Sequence, residues 1–163
     1  MAEEKKVILT REGYQKLEQE LNYYISVRRN EISEQIAIAR GFGDLSENAE
    51  YDEAKSDQAK LEARIAELEY MLAHATVLDE SALTTDKVET GLYVKVEDKT
   101  YNETDVYQIV GSPQANPIEN RISDESPIGR TLLGHKVGDH VIVEAPTGNI
   151  ELVVLEISKE DIN

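Results

Sequence analysis

Residues 51–75 read Tyr-Asp-Glu-Ala-Lys-Ser-Asp-Gln-Ala-Lys-Leu-Glu-Ala-Arg-Ile-Ala-Glu-Leu-Glu-Tyr-Met-Leu-Ala-His-Ala. Within them Tyr51, Ala54, Gln58, Leu61, Ile65, Leu68, Leu72 and Ala75 are spaced 3, 4, 3, 4, 3, 4 and 3. Alternating intervals of three and four put these side chains on one stripe of an α-helix, the a and d positions of a coiled coil. Lys60, Glu62, Arg64 and Glu67 set charge beside the stripe. Such a stripe calls for a second helix to pack against.

The partner precedes it. Thr10 is a good N-cap, and Tyr14, Leu17, Leu21, Ile25, Ile32, Ile36 and Ala39 line one face of a helix predicted to run to about Arg40. Arg28 sits in that stripe and interrupts it. Tyr23, Tyr24, Tyr51 and Tyr70 are expected on the seam or its flank. Gly41-Phe42-Gly43 lies between the two helices. Gly ends helices and permits positive φ, so the turn is placed there. A helix of roughly 29 residues is about 44 Å long, too long for a chain of this size to bury. The expectation is a projecting antiparallel coiled-coil hairpin over residues 1–76, with its tip at about 41–48.

Further out, the period changes. All four Pro (113, 117, 127 and 146) lie beyond residue 76, whereas the first 75 residues hold three Gly and no Pro. Tyr93-Val94-Lys95-Val96 and Asp105–Val110 alternate as strands. His140–Glu144 and Ile150–Ile157 form a predicted hairpin across Pro146-Thr147-Gly148-Asn149. Ser126-Pro127-Ile128 reads as an N-cap, a Pro at the first helical position and a short helix stopped by Gly134. The fold class is therefore α+β, a helical hairpin followed by a small α+β domain over residues 77–163.

Composition narrows the function. The chain has 163 residues with 17 Lys+Arg and 33 Asp+Glu, a net charge of −16. Residues 1–75 carry 10 basic and 16 acidic side chains (net −6), and residues 76–163 carry 7 and 17 (net −10). A surface this acidic repels nucleic acid and argues against a free-standing DNA or RNA binder. The absence of Cys excludes disulfides, thiolate zinc sites and a cysteine nucleophile. Only three apolar residues, Val7 to Leu9, follow the charged start, which is no signal peptide, and no apolar run approaches the ~20 residues of a membrane span. A cytoplasmic protein is expected, monomeric when free.

The tip segment Gly43-Asp44-Leu45-Ser46-Glu47-Asn48-Ala49-Glu50-Tyr51 holds the chemistry. Asp44 and Glu47 are three residues apart; on a helical turn that puts their Cβ atoms roughly 5–6 Å from each other. Two such carboxylates can share a hard cation, and Mg²⁺ takes oxygen ligands of this kind together with water and phosphate oxygens. The same spacing also fits a capping box, with Asp44 as N-cap and Glu47 at the third helical position. Both readings stand on spacing alone. His74, His135 and His140 lack zinc-like spacing, and Gly129–Lys136 misses a phosphate loop because His135 stands where the Lys belongs. An independent prolyl isomerase would need an aromatic-lined pocket, and the C-terminal half has Tyr but no Phe or Trp.

The run Gly43–Tyr51, continuing Asp52-Glu53-Ala54-Lys55, closely resembles the signature of the bacterial Gre transcript-cleavage factors. Ile36–Arg40 before it, and Ile122-Ser123-Asp124-Glu125-Ser126-Pro127-Ile128-Gly129 with Leu132–Asp139 after it, are similar to the same family, so the resemblance spans essentially the whole chain. It implies an FKBP-like fold for the C-terminal domain. It also implies that the hairpin enters the secondary channel of RNA polymerase while the C-terminal domain docks at the entrance. Asp44 and Glu47 would then help the polymerase hold its second catalytic Mg²⁺, with Ser46 supporting the geometry. The polymerase would hydrolyse the backtracked nascent RNA and leave a new 3′ end. The factor would stimulate the polymerase's nuclease and be no enzyme alone. The rival reading is a related hairpin that occupies the channel and inhibits without cleavage. A coiled-coil adaptor would need neither the acid pair nor the docking domain.

Overall fold

The computed structural model describes residues 7–41 and 48–162. After a short strand β1 (Val7–Leu9), the Thr10 hydroxyl accepts the Gly13 N–H at 3.0 Å, which starts the first helix where the sequence placed it. The helical run is α1 (Arg11–Tyr23), a π-helical turn (Tyr24–Arg28) and α2 (Arg29–Arg40). Helix α3 (Ala49–His74) is unbroken over its 26 residues. Residues 14–74 form one compact unit; the stretch up to Gly13 and everything from Ala75 onward form the other.

The helical unit is held by a seam of Ile32 and Ile36 from α2 against Ala54, Leu61 and Ile65 from α3, with Leu21, Tyr24 and Tyr51 packed on it. Ala39 meets Asn48, Arg29 meets Glu62 and Glu20 meets Arg64, so the two helical arms run antiparallel. The expected stripe fails at one point. Ile25 is 37% exposed, and Tyr24 takes its place on the seam. The π turn accounts for the change. Leu17 and Ala39 are 22 residues apart (39 − 17), whereas three heptads take 21. One widened turn absorbs one surplus residue and returns Ile32 and Ile36 to the seam. Arg28, which broke the sequence pattern, lies in that turn and pairs with Glu31. Tyr23 and Tyr70 are both exposed, contrary to expectation, and Tyr70 stacks on His74 with ring centroids 4.1 Å apart.

In the second unit, β1 pairs in parallel with β2 (Ala75–Val77). Ala75, the last residue of the predicted heptad series, is therefore extended rather than helical. A five-stranded sheet follows, built from β3 (Tyr93–Asp98), β4 (Glu103–Val110), β5 (Arg121–Ser123), β6 (His140–Ala145) and β7 (Gly148–Ser158). Its order is β5-β4-β3-β7-β6, antiparallel throughout except for the parallel pair β4–β5. Strand β3 alternates half-buried and buried positions, so Val94 and Val96 enter a core with Ile109, Val143, Val154 and Leu132. Leu132 comes from α4 (Pro127–Leu132), where Ser126 Oγ accepts the Gly129 N–H at 3.1 Å and Gly134 leaves the helix at φ +83°. The β6–β7 turn is tighter than predicted. Ala145 pairs with Gly148, leaving Pro146 and Thr147 as the turn, because Gly148 adopts φ +126° and lets pairing continue two residues further. The architecture is α+β. Among the described residues no helix is long and apolar enough to cross a membrane.

Two contacts bind β1 and Thr10 into this unit. Gln114 Oε1 accepts the Thr10 N–H at 2.9 Å, and its Nε2 donates to Thr10 Oγ1 at 2.8 Å. Gly111 lies so close to β1 that a Cβ there would sit 1.9 Å from the Ile8 carbonyl oxygen. Gly111→Ala is expected to destabilise this unit by about 3 kcal/mol through overpacking. Gly134→Ala, where a Cβ meets nothing within 4 Å, should cost only the left-handed backbone penalty of about 1 kcal/mol. Urea denaturation of both variants measures the difference, and the reverse order would contradict the close approach of β1.

Candidate functional site

The expected site is the segment between α2 and α3. Asp44, Ser46 and Glu47 lie outside the described residues. The frame that holds them is described. Helix α2 ends at Arg40 and closes on Gly41, whose N–H donates to the Ile38 carbonyl at 3.0 Å. Gly41 stays right-handed, at φ −66° and ψ −15°, and the rest of the expected turn, Phe42-Gly43, lies outside the described residues.

On the other side, the cap of α3 is Asn48. Its carbonyl accepts the first intrahelical bond, from Asp52 N–H at 3.2 Å, and its Oδ1 accepts the Tyr51 N–H at 3.1 Å. That is the N-cap arrangement, with Tyr51 at the third helical position. The capping role that spacing offered to Asp44 and Glu47 is thus filled, for the helix that begins at Ala49, by a different residue. Asn48 also reaches across: its Nδ2 donates to the Ala39 carbonyl of α2 at 2.5 Å. One amide therefore serves an orphan donor of one helix and an orphan acceptor of the other. Beside it, the Arg40 guanidinium lies 5.9 Å from the centre of the Tyr51 ring, within cation–π range. Sequence alone gave no reason to single out Asn48, because Asp, Ser and Asn are nearly equal as caps. The choice is made by its reach to Ala39, a contact invisible to local rules.

Between the same helix ends runs a groove of about 340 Å³, lined by Gln35, Ile38 and Ala39 on one side and Glu50, Glu53, Ala54 and Asp57 on the other. Its three carboxylates extend the acidity of the segment along α3. Among the described residues no group of three or more His, Cys, Asp or Glu could hold a metal ion. His135 and His140 instead pair with Asp139 at 3.1 Å and Glu151 at 3.3 Å.

The family models for the N-terminal domain of transcription elongation factors GreA and GreB and for their C-terminal domain match residues 7–77 and 83–159. The chain belongs to the GreA/GreB family of transcription elongation factors. It is 59% identical to transcription elongation factor GreA of Thermoanaerobacter pseudethanolicus, across 95% of this chain and 99% of that one. It is 51% identical to GreA of Clostridium acetobutylicum, across 96% and 99%. The solved structure of Gfh1 from Thermus aquaticus matches at 32% identity over 95% of this chain and 99% of that chain, with a TM-score of 0.44. Within the family, the resemblance is thus to GreA.

The helical arms of this GreA/GreB chain are cross-linked by charge. Arg29 Nε and Nη2 donate to the two Glu62 oxygens at 2.8 and 2.9 Å, and Arg64 makes the same fork to Glu20 at 3.1 and 3.3 Å. Hydrogen bonding to Glu20, ahead of burial, raises the Tyr24 phenol pKa. The hydrogen bonds from Arg29 hold Glu62 below its ordinary value of 4.5. A carboxylate depressed in the folded state stabilises fully above its unfolded pKa and loses that contribution as pH falls through the folded one. Exposed pairs contribute little each, so the effect should be small and confined to acid. Melting curves of Glu62→Gln and the parent from neutral pH down to about 3 should differ at neutral pH and converge in acid. A constant offset across that range would show that the pair does not titrate with folding.

Proposed function

We propose that this chain acts on bacterial RNA polymerase stalled by backtracking and stimulates the polymerase's own cleavage of the transcript. The hairpin enters the secondary channel, the sheet domain docks outside it, and Asp44 and Glu47 reach the polymerase active centre near the RNA 3′ end. The observation that supports a role for these acids beyond folding is the Asn48 cap. Because Asn48 satisfies the start of α3, the spacing of Asp44 and Glu47 is not needed there as a capping box.

The donor set suits a hard divalent ion. Two carboxylates and the Ser46 hydroxyl offer only oxygen, the donor type Mg²⁺ prefers. Such an ion, held jointly with the polymerase, would polarise phosphate oxygens and activate a water for in-line attack. The chain's own acids do three things. They bring negative charge to a site where a cation must be retained, they orient through Ser46, and they cannot approach RNA without that cation. At an effective dielectric of 20, a carboxylate and a phosphate about 5 Å apart repel by roughly 3 kcal/mol. Two acids and a hydroxyl are too few ligands for a tight Mg²⁺ site. The free protein is therefore catalytically silent and acts only in trans, in the cytoplasm where the polymerase works.

Asp44→Asn separates the readings, since Asn keeps the size and capping power of Asp and removes its charge. With a backtracked elongation complex at saturating factor, Asp44→Asn and Glu47→Gln should each bind normally. Each should lose about 100- to 1000-fold in release of short 3′ RNA and compete with the parent. Full cleavage by both variants would refute the role of these acids. Parent protein that binds and inhibits without cleaving would instead establish the channel-blocking rival. The protein alone, incubated with free RNA and Mg²⁺, should cut nothing; hydrolysis there would overturn the in-trans assignment.

A further inference from the structure

We infer that Asn48 is a positioning residue for transcript cleavage, setting the distance between the helix ends from which the acidic segment is strung. The inference rests on the function just proposed. A cap alone would be served equally by Asp or Ser. Asn differs from both in carrying an amide donor beside its acceptor, and here both halves are used. Oδ1 accepts Tyr51 N–H within α3, and Nδ2 donates to the Ala39 carbonyl at the end of α2. The bond to Ala39 spans nine residues of chain and joins the last turn of one helix to the first turn of the next. Arg40 over the Tyr51 ring adds a second link in the same layer. The flanking apolar seam cannot do this work unaided, because at its near end Ile36, Ala54 and the packed Tyr51 ring make non-directional contacts that resist separation more than sliding. A directional hydrogen bond between the two helix ends fixes both. The carboxylates that follow Gly41 and precede Asn48 then start from a frame of set width, and preorganised charge is what an electrostatic role in catalysis requires.

Asn48→Ser keeps the cap and deletes the bridge; Asn48→Ala deletes both. The chain has no Cys, so Glu34→Cys with Lys55→Cys, both at exposed positions, gives a clean pair of spin labels across the hairpin near the tip. In Asn48→Ser the label distance distribution should broaden while melting and the concentration giving half-maximal cleavage stay at parent values. Maximal cleavage should fall about 10- to 100-fold, the scale of a displaced reacting group. Asn48→Ala should show the same loss with a lower melting temperature. Parent-like maximal cleavage in Asn48→Ser, or an unchanged distance distribution, would overturn the positioning role, as would a defect in Asn48→Ala that Ser fully restores. Asp44→Asn in the same assay separates the two failures. If it cleaves normally, the function of the acids is wrong, while the labels still report whether Asn48 sets the frame.

Discussion

A pair of helices buries one stripe from each, and such a stripe fixes direction poorly. Among the described residues, one cluster of the seam joins Ile32 and Ile36 to Ala54, Leu61 and Ile65, with Leu21, Tyr24 and Tyr51 packed on it, and a heptad pattern presents nearly the same face again one repeat along. The register must therefore come from directional contacts. Arg29 forks onto Glu62 and Arg64 onto Glu20 across the arms, and Asn48 bonds Ala39 at the end. The π turn belongs to the same constraint. Without it, the surplus residue between Leu17 and Ala39 would rotate Ile32 and Ile36 off the seam and break the cluster at its centre.

Much of this architecture was legible. The 3–4 spacing over residues 51–75 gave α3, Thr10 gave the start of α1, and Ser126-Pro127 with Gly134 gave α4. Each of these is a local signal, carried by residues within a turn or two of one another. What was missed depends on distant partners. Strands β1 and β2 have three residues each, too few to show a period, and exist because each completes the other. The 3–4 spacing of an unbroken helix puts Ile25 on the seam; the widened turn puts Tyr24 there instead. At the tip, the capping-box pattern pointed to Asp44 and Glu47, while the cap of α3 is Asn48, whose partner Ala39 lies in the preceding helix.

The charge balance gives the family assignment its physical sense. With a net charge of −16 and an acidic groove beside the tip, the chain has little means of holding RNA by itself. On the proposed function, the grip on the transcript would be left to the polymerase. On that same function, an acidic tip would be costly to bring near phosphate everywhere except where a cation waits, and its charge would act as a filter on where the hairpin settles.

That filter works best if the acids are not engaged in folding. A carboxylate serving as a helix cap has an oxygen committed to backbone N–H groups, and those bonds lower its pKa and weaken it as a ligand. Assigning the cap to a neutral amide avoids the conflict. Asn48 satisfies the helix without adding charge, and its second bond holds the frame together. At the tip Asn48 thus takes structural contacts on both helices without adding charge, and on the proposed function Asp44 and Glu47 would offer their charge to a partner.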